Sequence, residues 1–297
     1  MLSTLSRIKS LAGVPANDTT QDANLQAILA VADATVKAFC KRHLEQAVST
    51  AYLDGTGTPD LVLPERPVTI YTLTGTLTSG SAVVTGLSST QYLLAGMPAV
   101  HSSLPAGTTI STIDSDTQVT LSANATASGA VSLVFGLALW SDASGFYGQK
   151  SGAFSESTQH LTLGVDYALV RDQRDGTSKS GILKRLGGGV SGWGVSDWFW
   201  GGGSRKGTLT ARLPPSWPVG MGNLKAVYTS GYAVIPDDLA SAVDQLCVWM
   251  WRNAPQGGMV MTSEGYEGYS YSLAALTSEP TLGTARQILS RYREVAI

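Results

Sequence analysis

The sequence predicts an α+β protein: a small helical bundle built from the N- and C-terminal helices, a β-rich middle, and a small antiparallel β-sandwich inserted into it. Three observations carry this. Apolar residues recur at the 3.6-residue helical period only near the two ends of the chain. Between them, short alternating segments are separated by Gly, Asn, Asp and Pro turns. Within this middle, one stretch differs in composition: no Lys or Arg occurs between Arg66 and Lys150, and the acids there are Asp114, Asp116 and Asp142. The expected division is a core of 1–72 plus 138–297, with 73–137 as an inserted β domain.

The helical expectations are 2–12, 21–45, 236–254 and 281–295. Leu2, Leu5, Ile8 and Leu11 line one face of the first, which Gly13 and Pro15 stop. Asp18 and Gln21 have the spacing of a capping box ahead of the second, whose stripe is Leu25, Ile28, Leu29, Ala32, Val36, Phe39 and Cys40. Pro236 with Asp237 and Asp238 has the character of a first helical turn, where the macrodipole favours acids. Leu239, Ala242, Val243, Leu246, Trp249 and Met250 follow as its stripe. The last helix carries Leu282, Ala285, Ile288, Leu289 and Tyr292, together with Arg286, Arg291 and Arg293.

The β expectations begin with turn chemistry at Asp54-Gly55-Thr56-Gly57 and a strand at 61–63. Inside the insert, 81–85, 108–113, 118–121 and 131–135 alternate as short strands should. Residues 138–232 continue in β around a glycine-rich stretch that holds Trp193, Trp198, Phe199 and Trp200. Those aromatics either pack down to hold a long loop or form a patch that a neighbouring subunit covers.

Composition narrows the function classes. Charged residues are 14 % of the 297, against about 25 % in ordinary soluble domains, and the formal charge of −2 argues against a generic basic nucleic-acid coat. No apolar run reaches the ~20 residues of a membrane span, and the N-terminus lacks a signal-peptide core, so a protein made in the cytoplasm and kept off membranes is expected. Cys40 and Cys247 fall at apolar helical positions and are expected as buried thiols.

No catalytic or metal constellation emerges, and no cofactor is expected. His43, His101 and His160 are far apart and share no ligand spacing with the cysteines. Ser155 and Ser157 near His160 lack a nucleophile-elbow glycine pattern. Asp172 with Asp175 and Asp237 with Asp238 suit a turn and a helix start, and Glu264 with Glu267 falls in a tyrosine-rich link. A non-enzyme acting through its surfaces is the expectation.

Several elements in order resemble one family. They are the N-terminal helix pair, Tyr52-Leu53-Asp54-Gly55 leading to Leu61-Val62-Leu63-Pro64 and Pro67-Val68, Tyr228-Thr229-Ser230-Gly231-Tyr232 running into Ile235-Pro236-Asp237-Asp238-Leu239, and the end from Tyr269-Ser270-Tyr271 to Ile288-Leu289-Ser290-Arg291-Tyr292-Arg293. Together they are similar to the head–tail connector (adaptor, or head-completion) proteins of tailed double-stranded-DNA bacteriophages. The resemblance spans about half the chain. Members are usually shorter, and 73–137 looks like the Ig-like or small β modules that phage structural proteins carry as insertions.

The resemblance implies a structural virion protein at the head–tail interface, assembled in the bacterial host cytoplasm. It implies a homo-oligomeric ring, typically a dodecamer, below the portal. The ring would extend the channel for phage genomic DNA, with no sequence-specific binding, and provide the attachment site for a tail-proximal connector, stopper or tail protein. It implies portal docking by the C-terminal segment, for which the candidates are Tyr269, Tyr271, Leu282, Arg286, Ile288, Leu289, Arg291, Tyr292 and Arg293. The other reading of that segment is a closing helix packed on its own subunit. Trp193, Trp198, Phe199 and Trp200 are the candidate subunit interface. Two other classes stand beside this one: a carbohydrate- or receptor-binding β-rich phage module, and a polysaccharide hydrolase.

Overall fold

A computed structural model describes residues 1–141, 160–173, 177–186, 216–253 and 282–293. Helices lie toward both chain ends and antiparallel sheets between them, so the fold is α+β. The chain divides into two compact units: Met1–Ala47 with Ser230–Ile297, and Val48–Thr229.

The first unit holds α1 (Leu5–Ala12), α2 (Asp22–Cys40), α3 (Asp237–Asn253) and α4 (Gly283–Tyr292). Their apolar stripes meet in one core, with Ile8, Leu25, Leu29, Val36, Val243, Leu246, Ala285 and Leu289 all buried in it. Both ends of the chain are needed to close it, because no single helix has a face that can be covered locally.

Four local expectations need correction. Leu2 precedes α1 and is buried, whereas Leu11 at its end is 52 % exposed. The carboxylate of Asp18 accepts from the backbone and hydroxyl of Thr20 in a two-residue turn, and α2 starts only at Asp22 with no side-chain cap. The short Asp side chain satisfies its own turn more readily than a distant helix end. At the other end α2 stops at Cys40, not 45. Lys41 takes a left-handed conformation, its N–H returns to the Lys37 carbonyl, and Leu44 and Gln46 bond to Tyr232 instead. In α3, Trp249 is only half-buried at the edge of the core.

The second unit contains two β modules. In one, β3 (Tyr71–Leu77), β8 (Gly129–Phe135) and β5 (Ala99–Val100) form one sheet. The other sheet consists of β4 (Val83–Val84), β7 (Gln118–Leu121) and β6 (Ile110–Ser115). The two sheets share a core that includes Leu77, Val84, Met97, Val119, Leu121, Leu133 and Phe135. The first and last strands of this module are antiparallel neighbours, with Tyr71 opposite Phe135 and Leu77 opposite Gly129. The chain thus enters and leaves at one place.

The other module pairs β1 (Ala47–Gly55), β13 (Gly220–Ser230), β9 (Leu137–Ser141) and β10 (His160–Leu161), in that order, with a second sheet. That sheet is β11 (Tyr167–Leu169), β12 (Ile182–Arg185) and β2 (Asp60–Val62). Leu61, Leu63, Leu139, Tyr167, Leu183, Trp217, Leu224 and Tyr228 fill the space between. Only Gly136 separates β8 from β9. Its φ of +102° and the Thr69 carbonyl 2.8 Å from where a Cβ would stand require glycine where the chain passes from one module to the next.

Candidate functional site

The candidate docking helix, α4, is held by its own unit. Leu282, Ala285 and Leu289 are buried in the helical core, and Ile288 and Tyr292 pack against it. The Cys40 thiol lies 3.9 Å from the Leu289 carbonyl. The Tyr292 hydroxyl donates to Asp238 at 2.5 Å, and its ring meets Tyr232 edge-on at 5.8 Å. Burial and that hydrogen bond both push the Tyr292 hydroxyl above its ordinary range. The Arg293 guanidinium lies 5.5 Å from the Phe39 ring centroid. Outward, α4 presents Arg286, Gln287, Ser290 and Arg291.

The nine candidate docking residues therefore separate by placement. Leu282 and Leu289 are internal, and Ile288 and Tyr292 mostly so. Arg286, Arg291 and Arg293 are exposed. Tyr269 and Tyr271 lie outside the described residues, as do Trp193, Trp198, Phe199 and Trp200.

The periodicity missed a carboxylate network. Asp244 is 2 % exposed on α3 and accepts from the Ser3 hydroxyl and from Arg7 Nε at 3.0 Å, with Arg7 Nη2 at 2.9 Å. Asp33, buried on α2, accepts from the Leu2 backbone N–H at 2.8 Å, and Lys37 Nζ bridges it to Glu45 at 2.7 and 2.6 Å. These two carboxylates tie the residues ahead of α1 to α2 and α3. A signal was present: each Asp lies three or four residues from buried apolar neighbours, Leu29 and Val36 for one, Ala240 and Cys247 for the other. An acid on a buried stripe must find donors.

Elsewhere the polar residues build turns. Asp172 accepts from the Lys179 and Ser180 backbone N–H groups at 2.6 and 2.9 Å, shaping a loop. The hydroxyls of Thr120 and Thr112 hold the Asp114 carboxyl below its ordinary range. His101 Nδ1 accepts from the Ser103 N–H at 3.0 Å, and the His160 ring stands edge-on to Trp140 at 5.3 Å. Burial pushes the Cys40 thiol up to about 11 and the Cys247 thiol to about 12, the behaviour of inert core thiols.

Among the described residues, no group of three or more His, Cys, Asp or Glu side chains is arranged to hold a metal ion. None of the described helices is long and apolar enough to cross a membrane. Asp175, Ser155, Ser157, Glu264 and Glu267 lie outside the described residues.

No family model matches the sequence, and no curated protein matches it. Among solved structures, the chain is similar to one from the neck of an empty gene transfer agent particle with C6 symmetry. The identity is 12 %, the TM-score 0.38, and 99 % of this chain and 90 % of that chain are covered. A chain of the native gene transfer agent virion matches at 14 % identity and TM-score 0.37, with the same coverage of 99 % and 90 %. A chain of the native particle's neck with C12 symmetry matches at 12 % identity and TM-score 0.32, covering 98 % and 91 %. Similarity at this level establishes neither a shared fold nor a shared function.

Proposed function

We propose that this protein is a structural component of a phage-like virion, a head–tail connector that joins a homo-oligomeric ring below the portal and acts through its surfaces, without catalysis. The observation that carries the reading is the helical unit. It draws α1 and α2 from one end of the chain and α3 and α4 from the other into a single core, and the N-terminal helix pair, the approach to α3 and the last helix are among the segments in which the sequence resembles connector proteins. In this reading the portal meets the outward cations of α4, Arg286 and Arg291, while the apolar face of that helix closes the protomer. The DNA passes through the ring without being read.

The test is head completion. Portal-bearing, DNA-filled heads lacking this protein are mixed with the purified full chain. Retention of DNA and joining of tails are then measured, with oligomeric mass followed by light scattering. Wild type should restore both, and Arg286→Glu with Arg291→Glu should bind heads less while still melting cooperatively, since both side chains are exposed. A wild-type chain that never associates with heads, or that stays monomeric while binding a bacterial polysaccharide, would overturn the proposal in favour of a carbohydrate-binding module.

A further inference from the structure

The seat of α4 is built from α2, α3 and the residues just ahead of α3. Tyr292 at the end of α4 donates to Asp238 at the start of α3, and its ring meets Tyr232. At the end of α2, the Cys40 thiol lies near the Leu289 carbonyl and the Phe39 ring lies near the Arg293 guanidinium. The nearest of these partners in sequence is Asp238, 54 residues before Tyr292. Leu282, Ala285 and Leu289 enter the same core as Leu29, Val243 and Leu246. The helix itself has ten residues and no side-chain cap at its start. A helix that short is marginal in water, so its seat holds it in shape.

The connection that brings α4 to this seat is longer than the seat requires. The end of α4 lies at the start of α3. At the usual rise per residue α3 spans about 25 Å and α4 about 15 Å, which puts the end of α3 and the start of α4 within roughly 50 Å. Residues 254–282 join them. A chain of that length reaches roughly 90–100 Å when extended, whereas helix–helix connections in compact units usually take roughly 2–8 residues. The surplus lets α4 reach the seat of an adjacent copy as well as its own.

The contacts are the same whichever copy supplies the helix, so exchange requires no new interface. Proximity then decides. In a lone chain the tether keeps the chain's own α4 at hand, while among assembled copies a neighbour's helix competes on equal terms. Each exchanged helix ties two copies together, and successive exchange around a closed ring leaves no seat empty.

We propose that α4 is exchanged between copies: it closes its own core in a lone chain and an adjacent copy's core in the oligomer. The partner of the α2–α3 seat is thus the α4 of a second copy. The inference rests on the homo-oligomer of the reading above and not on the portal.

The experiment places single thiols beside the Phe39 contact. Lys41 and Arg293 are exposed, and Cys40 and Cys247 are buried. Full-length Lys41→Cys and Arg293→Cys chains are mixed, concentrated until light scattering shows oligomers, and treated with a short bismaleimide. Exchange should give a two-chain product on a denaturing gel, at least several-fold above that from either variant alone. A chain carrying both substitutions should link within one copy when dilute and between copies when assembled. Should Lys41→Cys misfold, Ala38→Cys, also exposed and one turn earlier on α2, replaces it. Oligomers whose links all close within one copy, or a mixture yielding no more two-chain product than the single variants, would overturn the inference. So would a chain that forms no oligomer at millimolar concentration. Exchange without restored heads would count against the head–tail reading alone, and restored heads without exchange against this inference alone.

Discussion

At the residue scale, the buried carboxylates decide how the chain start is held. Asp244 receives a hydroxyl and a guanidinium in a nearly sealed position. Asp244→Ala leaves Ser3 and Arg7 facing an empty acceptor position and is expected to cost about 2–3 kcal/mol; urea unfolding measures it. The two core thiols predict the alkaline behaviour. Their pKa values rise from an ordinary 9.0 to about 11 and about 12 on folding. The folded state therefore holds these protons more tightly. Their contribution is fully present below pH 9 and is lost as pH rises through the folded values. The urea midpoint should fall more steeply above that pH in wild type than in Cys40→Ala with Cys247→Ala. Equal slopes would show that other groups dominate.

At the element scale, two joints require glycine, Gly136 and Gly231, and Gly231 is the more demanding. It follows β13 and precedes α3, has φ +85°, and a Cβ there would run into the Glu45 carbonyl, where the backbone of 44–46 lies against Tyr232. Gly231→Ala combines left-handed strain with a backbone collision that no rotamer relieves. A loss of about 2 kcal/mol or more is expected, read as a drop in melting temperature. By contrast, Gly80→Ala meets open space, though its φ of +78° still carries strain, so a smaller loss is expected. Helix ends behave alike: α2 stops where Lys41 turns left-handed, because the next residues find strand-like partners at Tyr232 that continued helix would deny them.

At the scale of the whole molecule, the module between β3 and β8 has its own two sheets and its own core, and its entry and exit strands are paired. A chain that leaves where it entered can be shortened there with little loop-closure cost. Replacing 71–135 by a short Gly/Ser turn should leave the four helices folded, measured as retained helical circular dichroism per molecule and a cooperative melt. Val48 on β1, which packs against that module, becomes exposed and is the expected local cost. Insoluble or non-cooperative protein would show that the two β modules fold only together.

The helices, the strands β4, β6, β7 and β8 and most of each helix's apolar stripe were legible in the sequence because periodicity is a local property; the two-residue β5 and the exposed Leu11 were not. Ile8, Leu25, Leu246 and Leu289 could be assigned to a core from spacing alone. What spacing could not say is which stripe meets which. The tertiary structure decided that α4 turns Leu282 and Leu289 into its own unit and leaves Arg286 and Arg291 outside. It also decided that Asp33 and Asp244 are internal ligands for the chain start, not solvent-facing charges. Helix ends were misread for the same reason. Asp18 and Lys41 respond to partners within two or four residues and, through Tyr232, to one nearly two hundred residues away. Such long-range hydrogen bonds leave no periodic trace, since one paired group can sit at any sequence distance from its partner.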